Sequence, residues 1–199
     1  MYIELSGAGG LKPYEEKILA RLSGIAVPPV TIIRGGAFRN DASPDSVARE
    51  TAPDGSGQDK VTLHYDTSGM KPLTELAFGD MSELFFVVRM LLYRYQTARE
   101  HLLSPGRFFS APESVFVRMG SGEAYPVFGN AAGNDVSPAS QILPVIGELA
   151  RHTRVPGVKG SLSELEKRIQ NLNPGFEDMM NIAEDVEREW NGILPPLAS

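Results

Sequence analysis

Residues 81–103 constrain this chain more than any other stretch. Leu84, Val88, Leu91, Tyr95, Ala98 and Leu102 recur in steps of four and three, which lines them along one face of an α-helix. Phe85, Phe86, Val87, Met90 and Leu92 extend the apolar character around the first half, while Arg94, Gln96, Arg99 and Glu100 mark the second half as more polar. Asp80 is placed to cap the helix, with Glu83 three residues on in a variant of the capping box. A helix that is apolar on most sides has to be covered by the rest of the chain, so this one is expected at the centre of the core. Its apolar run, residues 84–92, is interrupted by Arg89 and falls well short of the ~20 residues that cross a bilayer. No membrane span is expected.

Around that helix the pattern alternates between strands and turns. Tyr2, Ile3 and Leu5 suggest a short first strand, with glycines at 7, 9 and 10 as a turn. A helix is predicted over 13–22, opened by Pro13, with acids Glu15 and Glu16 in its first turn and Tyr14, Ile18 and Leu22 on one face. Val30-Thr31-Ile32-Ile33 and residues 60–66 read as two strands. Between them, residues 36–60 form a long polar loop rich in Asp, Ser, Pro and Gly, with a short helical turn suggested at Ser43-Pro44-Asp45. Residues 114–119 alternate at period two, Gly120-Ser121-Gly122-Glu123 makes a turn, and residues 124–128 return, which is a β-hairpin. Pro126 cannot donate to a ladder, so the second strand belongs at a sheet edge.

Residues 137–192 are helical in pattern. Ser137-Pro138 opens a helix carrying Ile142, Val145, Ile146 and Leu149, with Pro144 as a kink or a true start. Ser161 and Glu164 suggest a capping box ahead of Leu162, Leu165, Ile169 and Leu172. Asn173-Pro174 leads into a last helix with Phe176, Met179, Ala183, Val186 and Trp190, closed by Gly192 and Pro195-Pro196, and the short connection makes the last two an αα-hairpin. The expected fold is α+β: a small, mostly antiparallel sheet packed on the long central helix, with a helical C-terminal third. At 199 residues, one domain over 1–199 is expected.

Composition narrows the chemistry. With no cysteine in the sequence, disulfides, thiolate zinc sites, iron–sulfur clusters and cysteine nucleophiles are excluded. Residues 1–5 lack a basic n-region and an apolar h-region, so no cleavable export signal is expected there. The net charge of −6 argues against nucleic-acid binding, which needs a cationic surface. Residues 160–199 carry −5 of that charge, so the acidity belongs to the C-terminal helices.

Three side chains suggest a site at strand ends. His64 and Asp66 share one face of a strand, as a metal or acid–base pair would require, and Arg34 before Gly35-Gly36 could meet a phosphate or carboxylate through its guanidinium fork. His101 and His152 lie on predicted helices without ligand spacing, so no metal and no cofactor are expected. Neither a Walker A loop, a dinucleotide fingerprint nor a Gly-x-Ser-x-Gly elbow occurs. An arginine on a strand before glycine, a strand bearing His64 and Tyr65, and a later acid, Glu123, together resemble mono-ADP-ribosyltransferases of bacterial toxins in outline. That family's Ser-Thr-Ser strand and paired glutamates are absent here, and the chain is not assigned to it.

The leading expectation is therefore a non-catalytic protein-interaction or regulatory domain, of the kind found in bacterial secreted or accessory proteins. Its protein partner is expected on the acidic last helix, at Glu184 and Glu187, with Glu184 also spaced for an ion pair with Arg188. The alternative is an enzyme, a transferase or hydrolase acting on a phosphate-bearing or acidic ligand, with Arg34, His64 and Asp66 gathered under the 36–60 loop.

Overall fold

A computed structural model describes residues 1–5, 11–34, 61–129, 136–155 and 157–193. The glycines at 7, 9 and 10, the 36–60 loop with its suggested turn at Ser43, and the closing prolines 195 and 196 lie outside the described residues. Among those described, the fold is α+β, with two three-stranded antiparallel sheets and five helices.

The first sheet contains β1 (Tyr2–Leu5), β2 (Val30–Arg34) and β3 (Val61–Tyr65) in the order β1-β3-β2. On β3 the side chains of Val61, Leu63 and Tyr65 are buried and those of Thr62 and His64 half-buried, the period-two alternation of a strand with one face on the core. Helix α1 (Pro13–Leu22) packs along β2. Its buried face is Glu15, Leu19 and Leu22 rather than the expected Tyr14, Ile18 and Leu22. The rotation follows from an ion pair: the Glu15 carboxylate meets the Arg107 guanidinium at 2.8 Å in the interior and also accepts from the Lys12 backbone N–H.

The second sheet orders β4 (Met70–Pro72), β5 (Val115–Arg118) and β6 (Ala124–Pro126) as β4-β5-β6. β5 and β6 form the expected hairpin, with Gly120 and Gly122 taking the left-handed backbone its turn needs. Pro126 sits on the edge strand, as its missing N–H requires.

Helix α2 (Met81–Glu100) runs between β6, α3 (Pro138–His152) and α5 (Phe176–Ile193). Leu84, Phe85, Val87, Val88, Leu91, Leu92, Tyr95 and Ala98 are buried, so this helix is the centre of the core. Asp80 accepts from the Glu83 N–H at 2.8 Å, and the Glu83 carboxylate reaches back past the cap to the Gly79 N–H. The helix ends before the expected Leu103: Leu102 turns left-handed, and the N–H groups of Leu102 and Leu103 close onto the Arg99 and Ala98 carbonyls.

The C-terminal helices pack in series, α3 on α4 (Val158–Leu172) and α4 on α5. α3 starts at Pro138 under the Ser137 cap and continues through Pro144. α4 starts earlier than its sequence suggests. Ser161 is fully buried inside it, bonded to the Val158 carbonyl and lying against Met81, and Glu164 pairs with Arg168 instead of completing a box. One cluster of buried apolar side chains includes residues from Leu11 to Val186.

Candidate functional site

Of the three strand-end residues, Arg34 does not converge with His64. β2 and β3 pair with Val30 opposite Tyr65, Thr31 opposite His64 and Arg34 opposite Val61. Because side chains alternate across a sheet, His64 and Arg34 point to opposite faces. Arg34 lies on the α1 side, paired with the Glu16 carboxylate, which that contact holds below the usual carboxylate range. His64 stacks on Tyr2 at 4.4 Å on the outer face. The Asp66 carboxylate accepts from the Ser68 N–H at 2.9 Å, and hydrogen bonding from Ser68 holds it below the ordinary range. Among the described residues no group of three or more His, Asp or Glu side chains is placed to hold a metal ion.

On α5, Glu184 is exposed, and Arg188 pairs with Asp185 rather than with Glu184. Glu187 turns inward to form an ion pair with Arg89 of α2. That contact leads to a different site, because Arg89 lines an open groove between the start of α2 and the tip of the β5–β6 hairpin.

The groove encloses about 590 Å³. Its apolar lining comes from Leu76 and Phe78 before α2, Phe86 and Val87 on α2, and Val117 and Met119 on the hairpin. Phe86 and Met119 stay exposed, at 36% and 52%. Local sequence explains the shape. Gly122 faces the Phe86 ring, from which an added Cβ would stand 3.5 Å, and Gly120 and Gly122 take the left-handed backbone of the hairpin turn. Asp80 and Glu83 also line it, held by their capping bonds at the positive terminus of α2. Arg118 stands on the hairpin side.

Behind Arg118 is a charged cluster. The register puts Phe116 opposite Tyr125, and the Arg118 N–H donates to the Glu123 carbonyl, so Arg118, Glu123 and Tyr125 share a face. The buried Arg94 guanidinium of α2 lies over the Tyr125 ring at 3.6 Å, and the Arg118 guanidinium is 5.1 Å from the same ring. One carboxylate serves both arginines: Glu123 is 3.6 Å from Arg94 Nη2 and 3.3 Å from Arg118 Nη1. It also accepts from the Ser121 and Tyr125 hydroxyls at 3.2 and 3.3 Å. All of these distances exceed the 2.7–2.9 Å usual for charge-assisted bonds. Burial pulls the Arg94 guanidinium below the ordinary arginine range, and its Nε is buried with no hydrogen-bond partner among the described residues.

The sequence carried a signal for this cluster in Arg94, a cation on the predicted core helix, but nothing local shows that Tyr125 and Glu123 meet it. Comparison with protein-family models, with curated proteins and with solved structures finds no match for this chain.

Proposed function

We propose that the protein is a non-catalytic interaction module whose α2–hairpin groove receives an apolar segment of a partner protein. The observation that carries this reading is the groove itself: an open apolar trough, framed by a helix and a hairpin, that leaves Phe86 and Met119 in contact with solvent. Apolar side chains grouped in a concavity with a charged rim are the usual anchor sites of peptide recognition. Glu187 contributes from behind by holding Arg89 in the groove wall, and Glu184 stands on the exposed side of α5 as an outer contact.

Selection from a displayed library of random peptides tests the reading. Peptides with two or three closely spaced apolar residues should be enriched, and Met119→Asp should abolish their binding without lowering the unfolding temperature. Failure to enrich such peptides, or equal binding to the Met119→Asp variant, would sink the proposal. Glu184→Lys separates the outer contact from the groove, since it should weaken a full-length partner and leave the peptides unaffected.

A further inference from the structure

We infer that the free edge of β2 takes up a strand: an extended segment of a partner protein lies between β2 and α1, bonded to the backbone of Ile32, with an acidic side chain toward Lys17. The site is separate from the α2–hairpin groove. In the order β1-β3-β2, β2 is paired on one side only. The Asp66 N–H donates to the Pro29 carbonyl at 2.8 Å, and the register continues with Thr31 opposite His64 and Ile33 opposite Thr62. Backbone groups alternate in direction along a strand, so those of Val30 and Ile32 point away from β3. The Val30 N–H points onto the Ser23 hydroxyl, at 2.9 Å. The Val30 carbonyl and both groups of Ile32 have no hydrogen-bond partner among the described residues. Open edges are normally blocked by proline or charge. β1 carries Glu4, β4 carries Lys71 and Pro72, and β6 carries Pro126, whereas Val30-Thr31-Ile32-Ile33 has neither.

Beside this edge, α1 and β2 line an open groove of about 680 Å³. Its α1 residues, Pro13, Glu16, Lys17 and Ala20, are spaced as one helix face. Arg34 pairs with Glu16, while Ser23, just past the helix, bonds Val30, so α1 runs antiparallel to β2 with Lys17 toward Arg34 and Ala20 toward Val30. A strand added antiparallel to β2, as both existing pairings are, puts three side chains on the α1 side, opposite Arg34, Ile32 and Val30. Apolar side chains suit the positions opposite Ile32 and Val30, beside Ala20. An acid suits the position opposite Arg34, because Lys17 is exposed and makes no ion pair among the described residues. Main-chain bonds then give the affinity and the alternate side chains the selectivity.

The labelled peptide Thr-Glu-Thr-Val-Thr-Val-Thr, written to that register, tests this on the full chain by fluorescence anisotropy. It should bind, and on binding slow the hydrogen exchange of the Ile32 amide. Methylating the nitrogen of its first valine, which faces the Ile32 carbonyl, should weaken binding about tenfold, while methylating the threonine that follows, whose N–H points away, should change little. Exchanging its glutamate for glutamine should cost about threefold, a difference that Lys17→Met removes. Ile32→Pro blocks the edge without removing a sheet bond, so it should abolish binding and leave the unfolding temperature near the parent's; the methylated pair tests the same bond on the unaltered chain should that variant unfold. No binding at millimolar peptide, or equal loss from both methylations, would overturn the edge site. Met119→Asp should leave the affinity unchanged, and its loss there would place the peptide in the α2–hairpin groove instead. Protection of the Ile32 amide that rises with protein concentration alone, together with a dimer's mass in sedimentation, would give the edge to a second copy and overturn the peptide reading.

Discussion

The Tyr65 hydroxyl donates to the Phe128 carbonyl oxygen at 2.7 Å, a bond that ties the first sheet to the segment following β6. Tyr95, equally buried in the second half of α2, has no partner for its hydroxyl among the described residues; its ring is held by Phe108 edge-on and by Phe176 stacked at 5.4 Å. The same substitution should therefore act with opposite signs at the two positions. Tyr65→Phe leaves a buried carbonyl without its donor and should cost about 1–2 kcal/mol, whereas Tyr95→Phe removes an unsatisfied hydroxyl and should stabilise by about 1 kcal/mol. Urea unfolding checks both, with the midpoints moving apart at an unchanged slope.

The two phenols also set the response to alkali. Burial pushes both well above the ordinary phenol range, against the smaller opposing effect of the Phe128 bond at Tyr65. In the unfolded chain they ionise near pH ~10, while the folded chain keeps them protonated. Above that pH the unfolded state binds fewer protons than the folded one, so stability falls as pH rises; below it the contribution is fully present. The unfolding temperature should decline from about pH 10 upward, and the double Tyr65→Phe, Tyr95→Phe variant should decline less steeply. An equal decline would place the alkaline weakness elsewhere.

How much of this was legible in the sequence depended on whether the cause was local. The stripe from Leu84 to Ala98, the Asp80 cap, the glycine-rich hairpin turn and the edge position of Pro126 are all written in neighbouring residues. Where a distant partner decides, the local pattern misled. Tyr14 looked like the core face of α1 until Arg107, ninety-two residues from Glu15, drew the neighbouring face inward. β4 went unread because Met70-Lys71-Pro72 has neither alternation nor β-branched residues, and only pairing with β5 makes it a strand. Arg34 and His64 belong to different strands, and only the β2–β3 register shows that they face opposite ways. The Arg94–Glu123–Arg118 cluster needed the same kind of knowledge in reverse.

Leu102 records a cost at the end of α2. Its backbone is left-handed, with φ of 64°, and its side chain is 74% exposed, so packing returns little for the strain. Glycine fills this position in most helix endings of the kind because it has no β-carbon to crowd the carbonyl. Leu102→Gly should stabilise the protein by about 1 kcal/mol, the strain relieved being somewhat larger than the chain entropy glycine adds to the unfolded state. Leu102→Val, β-branched in the same conformation, should destabilise it. Thermal unfolding of the three proteins should rank them Gly, Leu, Val.

Gly160 and Trp190 join α4 to α5 through the absence of a side chain. A β-carbon at position 160 would stand 2.6 Å from Trp190 Cη2 and 3.2 Å from two further ring atoms, so the indole can lie there only over a glycine. Two effects oppose each other in Gly160→Ala. Alanine favours the helix by about 1 kcal/mol over glycine, and the displaced ring gives back a comparable amount of contact. Because the clash falls on the outer edge of a partly exposed ring near the end of α5, the ring can move aside, and net stability should change by less than about 1 kcal/mol. The location of the ring should change all the same. Trp190 is the single tryptophan in the sequence, so its emission reports this one contact. Gly160→Ala should shift the emission to the red as the indole meets more water, and Gly160→Leu should shift it further and lower the unfolding temperature. An unchanged spectrum in both variants would mean that the indole does not rest on α4 in solution.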